Sequence, residues 1–256
     1  MLNYFHEIYR QVAEYLLTTG QQEMDVVQVN PKGDRTKAFD YKTEEMILAY
    51  FDAHLPYPVN VLTEERGEVS LGSGSPEYTI IIDPVDGSDN YTRHLGMTGF
   101  SVAAIPAGEA LTIENVQYGF VGHIFLDKIF TCEKGKGAYC NDQRLTTSGE
   151  TDLRKAIVSV YALGADPALL DRIYPLLQQM TTLRCFGSSA YEVCQIAAGG
   201  LDGYVDVRDL CTAENFIAAA MMVQEAGGVV TDVRGESLRP IHQLDYGYSI
   251  VVSGNP

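Results

Sequence analysis

Hydrophobic residues recur along this chain at two different spacings, and the spacing changes from one stretch to the next. Near the N-terminus the spacing is that of one helix face, occupied by Phe5, Ile8, Tyr9, Val12 and Leu16. Residues 78–82 are instead an unbroken run of β-forming residues, which predicts a buried strand. Beyond residue 150 the two patterns alternate, with strands predicted over 156–160 and 182–186 and a helix over 166–180. The chain is therefore predicted to combine strands and helices throughout.

The predicted strand over 78–82 leads into a turn that is rich in oxygen ligands. Residues 83–86 read Asp-Pro-Val-Asp, and residues 87–90 read Gly-Ser-Asp-Asn. Pro84 has no amide donor, so we expect the strand to end there. The two carboxylates and the Val85 carbonyl between them can point at one position, and such an oxygen cluster suits Mg²⁺. The residues alone are equally typical of a plain turn.

Composition and charge narrow the possible functions. The chain has 256 residues, of which 46% are hydrophobic, enough for the core of one large domain or two closely packed lobes. Its 34 acidic and 18 basic residues give a net charge of −16, which argues against nucleic acid and anionic membranes as partners. The five cysteines include no C-x-x-C pair, and their odd number predicts free thiols in a reducing cytoplasm. No apolar run approaches the length that crosses a bilayer.

Several strings in the sequence resemble one family. D-P-V-D-G-S-x-N-Y at 83–91 resembles the signature of the inositol monophosphatase superfamily of Mg²⁺-dependent, lithium-sensitive sugar phosphatases, which usually has Thr in place of Ser88. The similarity runs from about residue 30 to the C-terminus and includes E-A-G-G-x-x-x-D at 225–232. It implies an α/β (α+β) fold, the layered α/β/α/β/α sandwich. An N-terminal α+β lobe over 1–150 would carry most metal ligands, and a C-terminal α/β lobe over 151–256 would carry substrate contacts. The resemblance also implies a homodimer.

The resemblance further implies a set of metal ligands. Glu64, Asp83, the Val85 carbonyl and Asp86 take the ligand positions for two or three Mg²⁺ ions. Glu64 follows a short apolar strand predicted over 59–63 and stands where the family has the first Glu of a Gly-Glu-Glu string. Adjacent glutamates at a strand end are also commonly just solvated. Bound divalent cations would offset the repulsion between this acidic chain and a phosphate.

Three residues are implied in catalysis by the same resemblance. Ser88, helped by Asp40 or Glu64, would orient and deprotonate the attacking water. Asp40 comes after residues 29–35, a charged stretch that predicts a loop, and before a helical pattern. A lone Asp at such a place is usually a helix N-cap, which is the other interpretation of Asp40.

Substrate contacts are predicted at two turns. The backbone amides of Gly87 and Ser88 are expected to hold phosphate. Gly187, Ser188 and Ser189 open a predicted helix, either as an ordinary cap or as a site for an anion and sugar hydroxyls. The family uses this second turn for substrate hydroxyls, which favours the latter.

Arg208 is the third predicted substrate contact, near the end of a strand predicted over 201–208. Many archaeal and bacterial relatives that also act on fructose 1,6-bisphosphate carry a similar D-V-R string. The guanidinium of Arg208 can hold a second phosphate or sugar hydroxyls through its fork of donors. An exposed salt bridge is the alternative.

One position departs from the family pattern. Counting back from the string at 225–232, the resemblance places a further metal-binding Asp at residue 215, where this chain has Asn. The Asn215 amide can lend an oxygen to Mg²⁺ but brings no charge. Glu214 could substitute only if the helix start rotates. Alternatively, the stretch is a plain helix start with Thr212 as its cap and Glu214 opposing the helix dipole.

These features predict a cytoplasmic Mg²⁺-dependent phosphomonoesterase that hydrolyses a small sugar or polyol phosphate: inositol 1-phosphate, fructose 1,6-bisphosphate or both. The alternative is a catalytically weakened homologue that binds a phosphate ligand or a protein partner, and Asn215 is its support. A nucleotide 3′-phosphatase with the same fold and metals is a third possibility, although no residue pattern identifies an adenine pocket.

Overall fold

The computed structural model describes residues 1–29, 35–162, 164, 167–244 and 246–255. Its α-helices are α1 (Leu2–Leu17), α2 (Ala38–His54), α3 (Ser88–Thr92), α4 (Pro167–Leu177), α5 (Ser189–Ala197) and α6 (Ile217–Glu225). Its strands are β1 (Val26–Val29), β2 (Arg35–Lys37), β3 (Val59–Thr63), β4 (Gly67–Leu71), β5 (Tyr78–Asp86), β6 (Gly99–Pro106), β7 (Tyr118–His123), β8 (Ile129–Glu133), β9 (Gly137–Cys140), β10 (Gln143–Arg144), β11 (Ile157–Tyr161), β12 (Thr182–Arg184), β13 (Gly203–Cys211), β14 (Val229–Thr231) and β15 (Tyr248–Ser253). Short 3-10 helices lie at Thr19–Gln22, Ile113–Asn115 and Ala213–Asn215.

Two large sheets organise the described part of the chain. The first has eight strands in the order β10-β9-β8-β7-β6-β5-β3-β4, in which β3 and β5 pair in parallel and the other neighbours are antiparallel. The second has five strands in the order β12-β11-β13-β15-β14, and β11 is parallel to both of its neighbours. The first sheet draws its strands from before residue 150 and the second from after it. The division into two lobes at that residue stays a prediction.

The helices cover these sheets in layers. α1 and α2 pack on one face of the first sheet, α5 and α6 lie between the two sheets, and α4 packs on the other face of the second. On β5, Ile80 and Ile82 enter the core beneath α1 and α2, whereas Ile81 enters the core shared with α5 and α6. A strand buried on both faces needs a continuous apolar run, as residues 78–82 provide. The predicted α/β/α/β/α sandwich is confirmed.

One local expectation is wrong, and so is the alternative interpretation of Asp40. β5 does not end at Pro84 but continues to Asp86, and its pairing with β6 is interrupted between Asp83 and Asp86. An irregularity of this kind accommodates a proline, which has no amide to contribute to the sheet. Asp40 is not an N-cap, because it lies in the first turn of α2 and Lys37 precedes that helix.

Three further expectations concern the rest of the chain. The loop predicted over 29–35 falls mainly on residues 30–34, which lie outside the described residues. All five cysteines have free thiols, as predicted. Among the helices that the structure describes, none combines the length and the apolar character needed to cross a bilayer.

Candidate active site

Asp86 joins the end of β5 to the start of α5. Its Oδ2 accepts hydrogen bonds from the Ser188 hydroxyl at 2.6 Å and the Ala190 amide at 2.9 Å, and its Oδ1 accepts one from the Ser189 amide at 3.1 Å. A carboxylate at a helix N-terminus is stabilised by the unpaired amides and the helix dipole. Asp86 therefore caps a helix that begins about a hundred residues away in sequence.

Asp83 lies beside Asp86 and is also buried, with 2% of its surface exposed. Its Oδ1 accepts a hydrogen bond from the Val85 amide at 3.0 Å, and its Oδ2 accepts one from the Asn215 side-chain amide at 2.7 Å. The oxygen of the same Asn215 amide lies 3.1 Å from the Thr212 hydroxyl, which is closer to Glu214 Oε1, at 2.6 Å. The predicted site thus includes Asn215, but it is the amide nitrogen that faces Asp83.

Burial and neighbouring negative charge dominate the electrostatics here. Burial, followed by repulsion from Asp86, Glu64 and Glu214, holds the pKa of Asp83 well above its usual range. Burial raises the pKa of Asp86 to about 7. Among the described residues, the ion pairs of Lys and Arg are made with other carboxylates. A divalent cation would therefore relieve a repulsion that the described side chains leave in place.

Two glycine turns meet at this point. Gly87 has φ 86°, in the left-handed region, and a Cβ there would lie 2.8 Å from the carbonyl oxygens of both Gly187 and Met97. The Asn90 side-chain amide donates to the Met97 and Phe186 carbonyls at 2.8 and 2.6 Å. The two turns predicted to contact substrate are thus neighbours, although their roles toward substrate stay predictions.

The serines of these turns differ in accessibility. Ser88 begins α3 and is half-buried, whereas Ser188 is fully buried with its hydroxyl on Asp86. Ser189 is half-buried and its hydroxyl lies 2.9 Å from that of Tyr204. In this conformation Ser188 supports Asp86, while Ser88 and Ser189 keep partial access to solvent.

The other two predicted site acids, Asp40 and Glu64, lie on α2 and just after β3. Asp40 is buried, and its pKa is raised well above its usual range by burial and by repulsion from Glu65 and Glu64. Glu64 directly follows β3 and is half-buried. Glu44, which no sequence pattern singled out, accepts hydrogen bonds from the Thr63 hydroxyl and, at 3.0 Å, from the Glu65 amide. It therefore fixes the turn that carries Glu64.

On β13 of the second sheet, Arg208 forms a salt bridge with Asp206. Its Nε and Nη2 donate to the two carboxylate oxygens at 3.0 and 2.7 Å, and its guanidinium lies 4.7 Å from the centre of the Tyr161 ring. Asp206 is completely buried. A salt bridge is therefore present, but it is not the exposed one expected as the alternative, because Asp206 is buried and the Arg208 side chain is 25% exposed. A phosphate contact would have to use the remaining N–H groups of Arg208.

Glu192 is a second residue that sequence reasoning missed. It is completely buried on α5 and accepts hydrogen bonds from the Ser159 and Tyr161 hydroxyls. It also accepts the Gly187 amide at 3.0 Å and the Phe186 amide at 3.2 Å. The sequence offered one signal, an acid within an otherwise apolar helical stretch. Glu192 holds the turn that Asp86 also contacts.

The chemistry of the donors fits a hard cation, because Glu64, Asp83, Asp86 and the Val85 carbonyl supply only oxygen. Their present geometry is not that of a formed metal site. In the described part of the chain, no group of three or more His, Cys, Asp or Glu side chains converges on a metal position. The oxygens of Asp83 and Asp86 are instead turned toward hydrogen-bond donors.

Fold and site together define a known family of phosphatases. The model of the inositol monophosphatase family matches residues 2–255, and the chain belongs to this family. The predicted family is thereby confirmed, as is the predicted class of enzyme, the phosphoric monoester hydrolases to which the curated relatives belong.

Individual relatives agree with this assignment. The fructose-1,6-bisphosphatase/inositol-1-monophosphatase of Methanothermobacter thermautotrophicus is 29% identical over 236 residues, covering 90% of this chain and 83% of that protein. Human inositol monophosphatase 1 is 30% identical over 244 residues, covering 91% and 84%. The structure of the extragenic suppressor protein suhB from Bartonella henselae superimposes with a TM-score of 0.82 at 23% identity, covering 98% of this chain and 92% of that one, which shows the shared fold.

Proposed function

We propose that this protein is a Mg²⁺-dependent phosphomonoesterase acting on a small sugar or polyol phosphate, with inositol 1-phosphate and fructose 1,6-bisphosphate as the substrates to test first. Membership of the inositol monophosphatase family supports a phosphatase of sugar phosphates. Both candidate substrates occur in the names of relatives that match most of this chain. A homodimer and a cytoplasmic location stay predictions.

The observation that carries the metal dependence is the pair of buried acids at the end of β5. Asp83 and Asp86 are 2% and 5% exposed, and burial raises the pKa of each. Buried carboxylates that repel one another are stabilised by a cation. Glu64, Asp83, the Val85 carbonyl and Asp86 would hold it. When bound, a divalent cation polarises the phosphoryl group and stabilises the charge that develops in the displacement.

The chain's own residues would do the rest. α3 begins at Ser88, so its first amides lack partners within the helix and suit a phosphate oxygen. Gly87 allows the close approach of that turn to Gly187 because it has no Cβ. Ser88 would orient an attacking water, with Asp40 or Glu64 as the acceptor of its proton.

One observation favours the second candidate, a weakened homologue that binds phosphate without efficient turnover. Asn215 offers its nitrogen to Asp83 at 2.7 Å, and a nitrogen that carries two hydrogens is not a ligand for Mg²⁺. The acids of the site, Glu64, Asp83 and Asp86, favour catalysis instead, because they are suitable ligands for Mg²⁺.

Phosphate release from inositol 1-phosphate, fructose 1,6-bisphosphate and a nucleotide 3′-phosphate distinguishes these candidates. We expect release from one or both sugar phosphates with Mg²⁺, complete loss in excess chelator, and recovery when Mg²⁺ is restored. Full activity in chelator would refute the metal mechanism. Inactivity on every phosphomonoester by a folded protein that binds Mg²⁺ would favour the weakened homologue.

A further inference from the structure

The side-chain amide of Asn215 lies between Asp83 and Thr212. Its Nδ2 lies 2.7 Å from Asp83 Oδ2, and its Oδ1 lies 3.1 Å from the Thr212 hydroxyl. Toward the ionised form of Asp83, which only accepts hydrogen bonds, the amide must present its nitrogen. The Thr212 hydroxyl has a single hydrogen and lies nearer to Glu214 Oε1, at 2.6 Å, so Asp83 is the partner that sets the orientation of the Asn215 amide.

The other donors to Asp83 and Asp86 are built into the backbone or the core. They are the amides of Val85, Ser189 and Ala190 and the hydroxyl of the fully buried Ser188. Asn215 differs because it is a half-buried side chain that can rotate without moving a strand or a helix. A cation that approaches Asp83 Oδ2 therefore meets one donor that can leave.

We propose that Asn215 competes with the divalent cation for Asp83. The Asn215 amide hydrogen-bonds Asp83 Oδ2, and this bond must break before a cation uses that oxygen. The inference rests on the proposed function, which supplies the cation. It differs from the expectation that Asn215 lends its amide oxygen as a ligand, because a competitor and a ligand have opposite effects on affinity.

Substitution by leucine separates the two, since leucine branches at Cγ as asparagine does but neither donates nor accepts a hydrogen bond. If Asn215 competes, Asn215→Leu binds Mg²⁺ more tightly than the wild type. Removing one hydrogen bond to a charged group predicts a Kd for Mg²⁺ that is up to about tenfold lower. The same variant, without Mg²⁺, should melt at a lower temperature because Asp83 has lost a donor. Asn215→Asp should bind more tightly still, because it removes the donor and adds a ligand charge.

Each protein is titrated with Mg²⁺ alone, and binding is detected by calorimetry and by the shift of the thermal midpoint. Neither readout depends on turnover. Asn115→Leu is the matched control, since Asn115 donates to the Ala110 carbonyl at 2.9 Å in the turn between β6 and β7. It should leave the Kd of Mg²⁺ unchanged. If Asn215→Leu does not fold, Asn215→Ala tests the same loss of the donor.

Weaker or unchanged Mg²⁺ binding by a folded Asn215→Leu or Asn215→Ala protein overturns the inference and leaves the proposed function standing. Absence of Mg²⁺ binding in the wild type and in every variant overturns the proposed function, and the inference with it. Tighter binding by both the leucine and the aspartate variants is the expected result.

Discussion

The candidate site contains one pair of buried carboxylates and lies near a second pair. The two pairs are stabilised in different ways. Asp83 and Asp86 on β5 are 2% and 5% exposed, while Glu192 on α5 and Asp206 on β13 are completely buried. Glu192 accepts hydrogen bonds from two hydroxyls and from the backbone amides of residues 186–188. Asp206 is paired with Arg208 through two side-chain hydrogen bonds.

The first pair is surrounded differently. Asp83 accepts one backbone amide and one side-chain amide, and its charged neighbours are the acids Asp86, Glu64 and Glu214. Asp86 has three donors from α5, yet burial still raises its pKa to about 7. Both pairs are buried, so burial alone does not separate a functional carboxylate from a structural one. Their surroundings separate them: among the described residues, Asp206 has a cation and Glu192 has hydroxyl and amide donors, whereas the charged neighbours that raise the pKa of Asp83 are acids.

The largest expected effect comes from removing the charge of Asp83. Asp83→Asn should lower the Mg²⁺-dependent rate roughly a thousandfold, because a metal ligand contributes several kcal/mol to the transition state. Without Mg²⁺ the variant should be at least as stable as the wild type, since it relieves repulsion among buried acids. Steady-state kinetics and thermal melts in chelator measure the two effects.

Asp89→Asn is the matched control for this experiment. Asp89 lies nearby in the sequence, on α3, but its side chain is 85% exposed and is paired with Lys37 at 3.1 Å. Its loss should leave kcat/KM within a factor of about two, because exposed ion pairs contribute little. A similar collapse of activity in both variants would mean that the turn as a whole, and not Asp83, is what the reaction requires.

Removing the guanidinium of Arg208, which pairs with Asp206, should have a smaller effect, and the effect should be on stability. Arg208→Gln leaves Asp206 buried without its partner, which should lower the free energy of unfolding by about 3 kcal/mol. Adding Asp206→Asn to this variant should recover much of the loss, as urea denaturation of the double variant would show. If Arg208 also holds a second phosphate, kcat/KM should fall more for fructose 1,6-bisphosphate than for inositol 1-phosphate. Equal losses would confine Arg208 to the salt bridge.

The sequence predicted those features of the two carboxylate pairs and their surroundings that depend on residues close together in the chain. The apolar run at 78–82, the acids and glycine that follow it, and the glycine turn before α5 were all identified from local patterns. The family resemblance correctly placed Asp83, Asp86 and residue 215 near one another, although their roles stay predictions. Local pattern and family together therefore predicted the layered fold and most of the candidate site.

What the sequence could not predict depends on contacts between distant segments. Asp86 meets Ser188, Ser189 and Ala190 only because β5 and α5 pack together, and no local pattern encodes that approach. The orientation of the Asn215 amide depends in the same way on Asp83. The missing amide donor of Pro84 predicted the end of the strand, but the pairing with β6 is only interrupted there and resumes at Asp86.

The smallest expected effect concerns Glu192, which acts on the site through the turn at 186–188. Glu192→Gln replaces an acceptor by an amide whose N–H groups would face the donors around it, including the Gly187 amide at 3.0 Å. A few unsatisfied donors in a buried place should lower the free energy of unfolding by about 2 kcal/mol.

A purely structural role and a positioning role for Glu192 make different predictions for catalysis. If Glu192 fixes the turn against Gly87, Glu192→Gln should also raise KM for the sugar phosphate several-fold while the Kd of Mg²⁺ changes little. Glu225→Gln is the matched control, because Glu225 accepts the Gly135 and Gly137 amides at 2.7 Å each, in a turn that contributes nothing to the site. It should lose stability to a similar degree with KM unchanged. Equal KM values for the two variants would reduce Glu192 to a structural residue, and the second carboxylate pair would then contribute to the site only through stability.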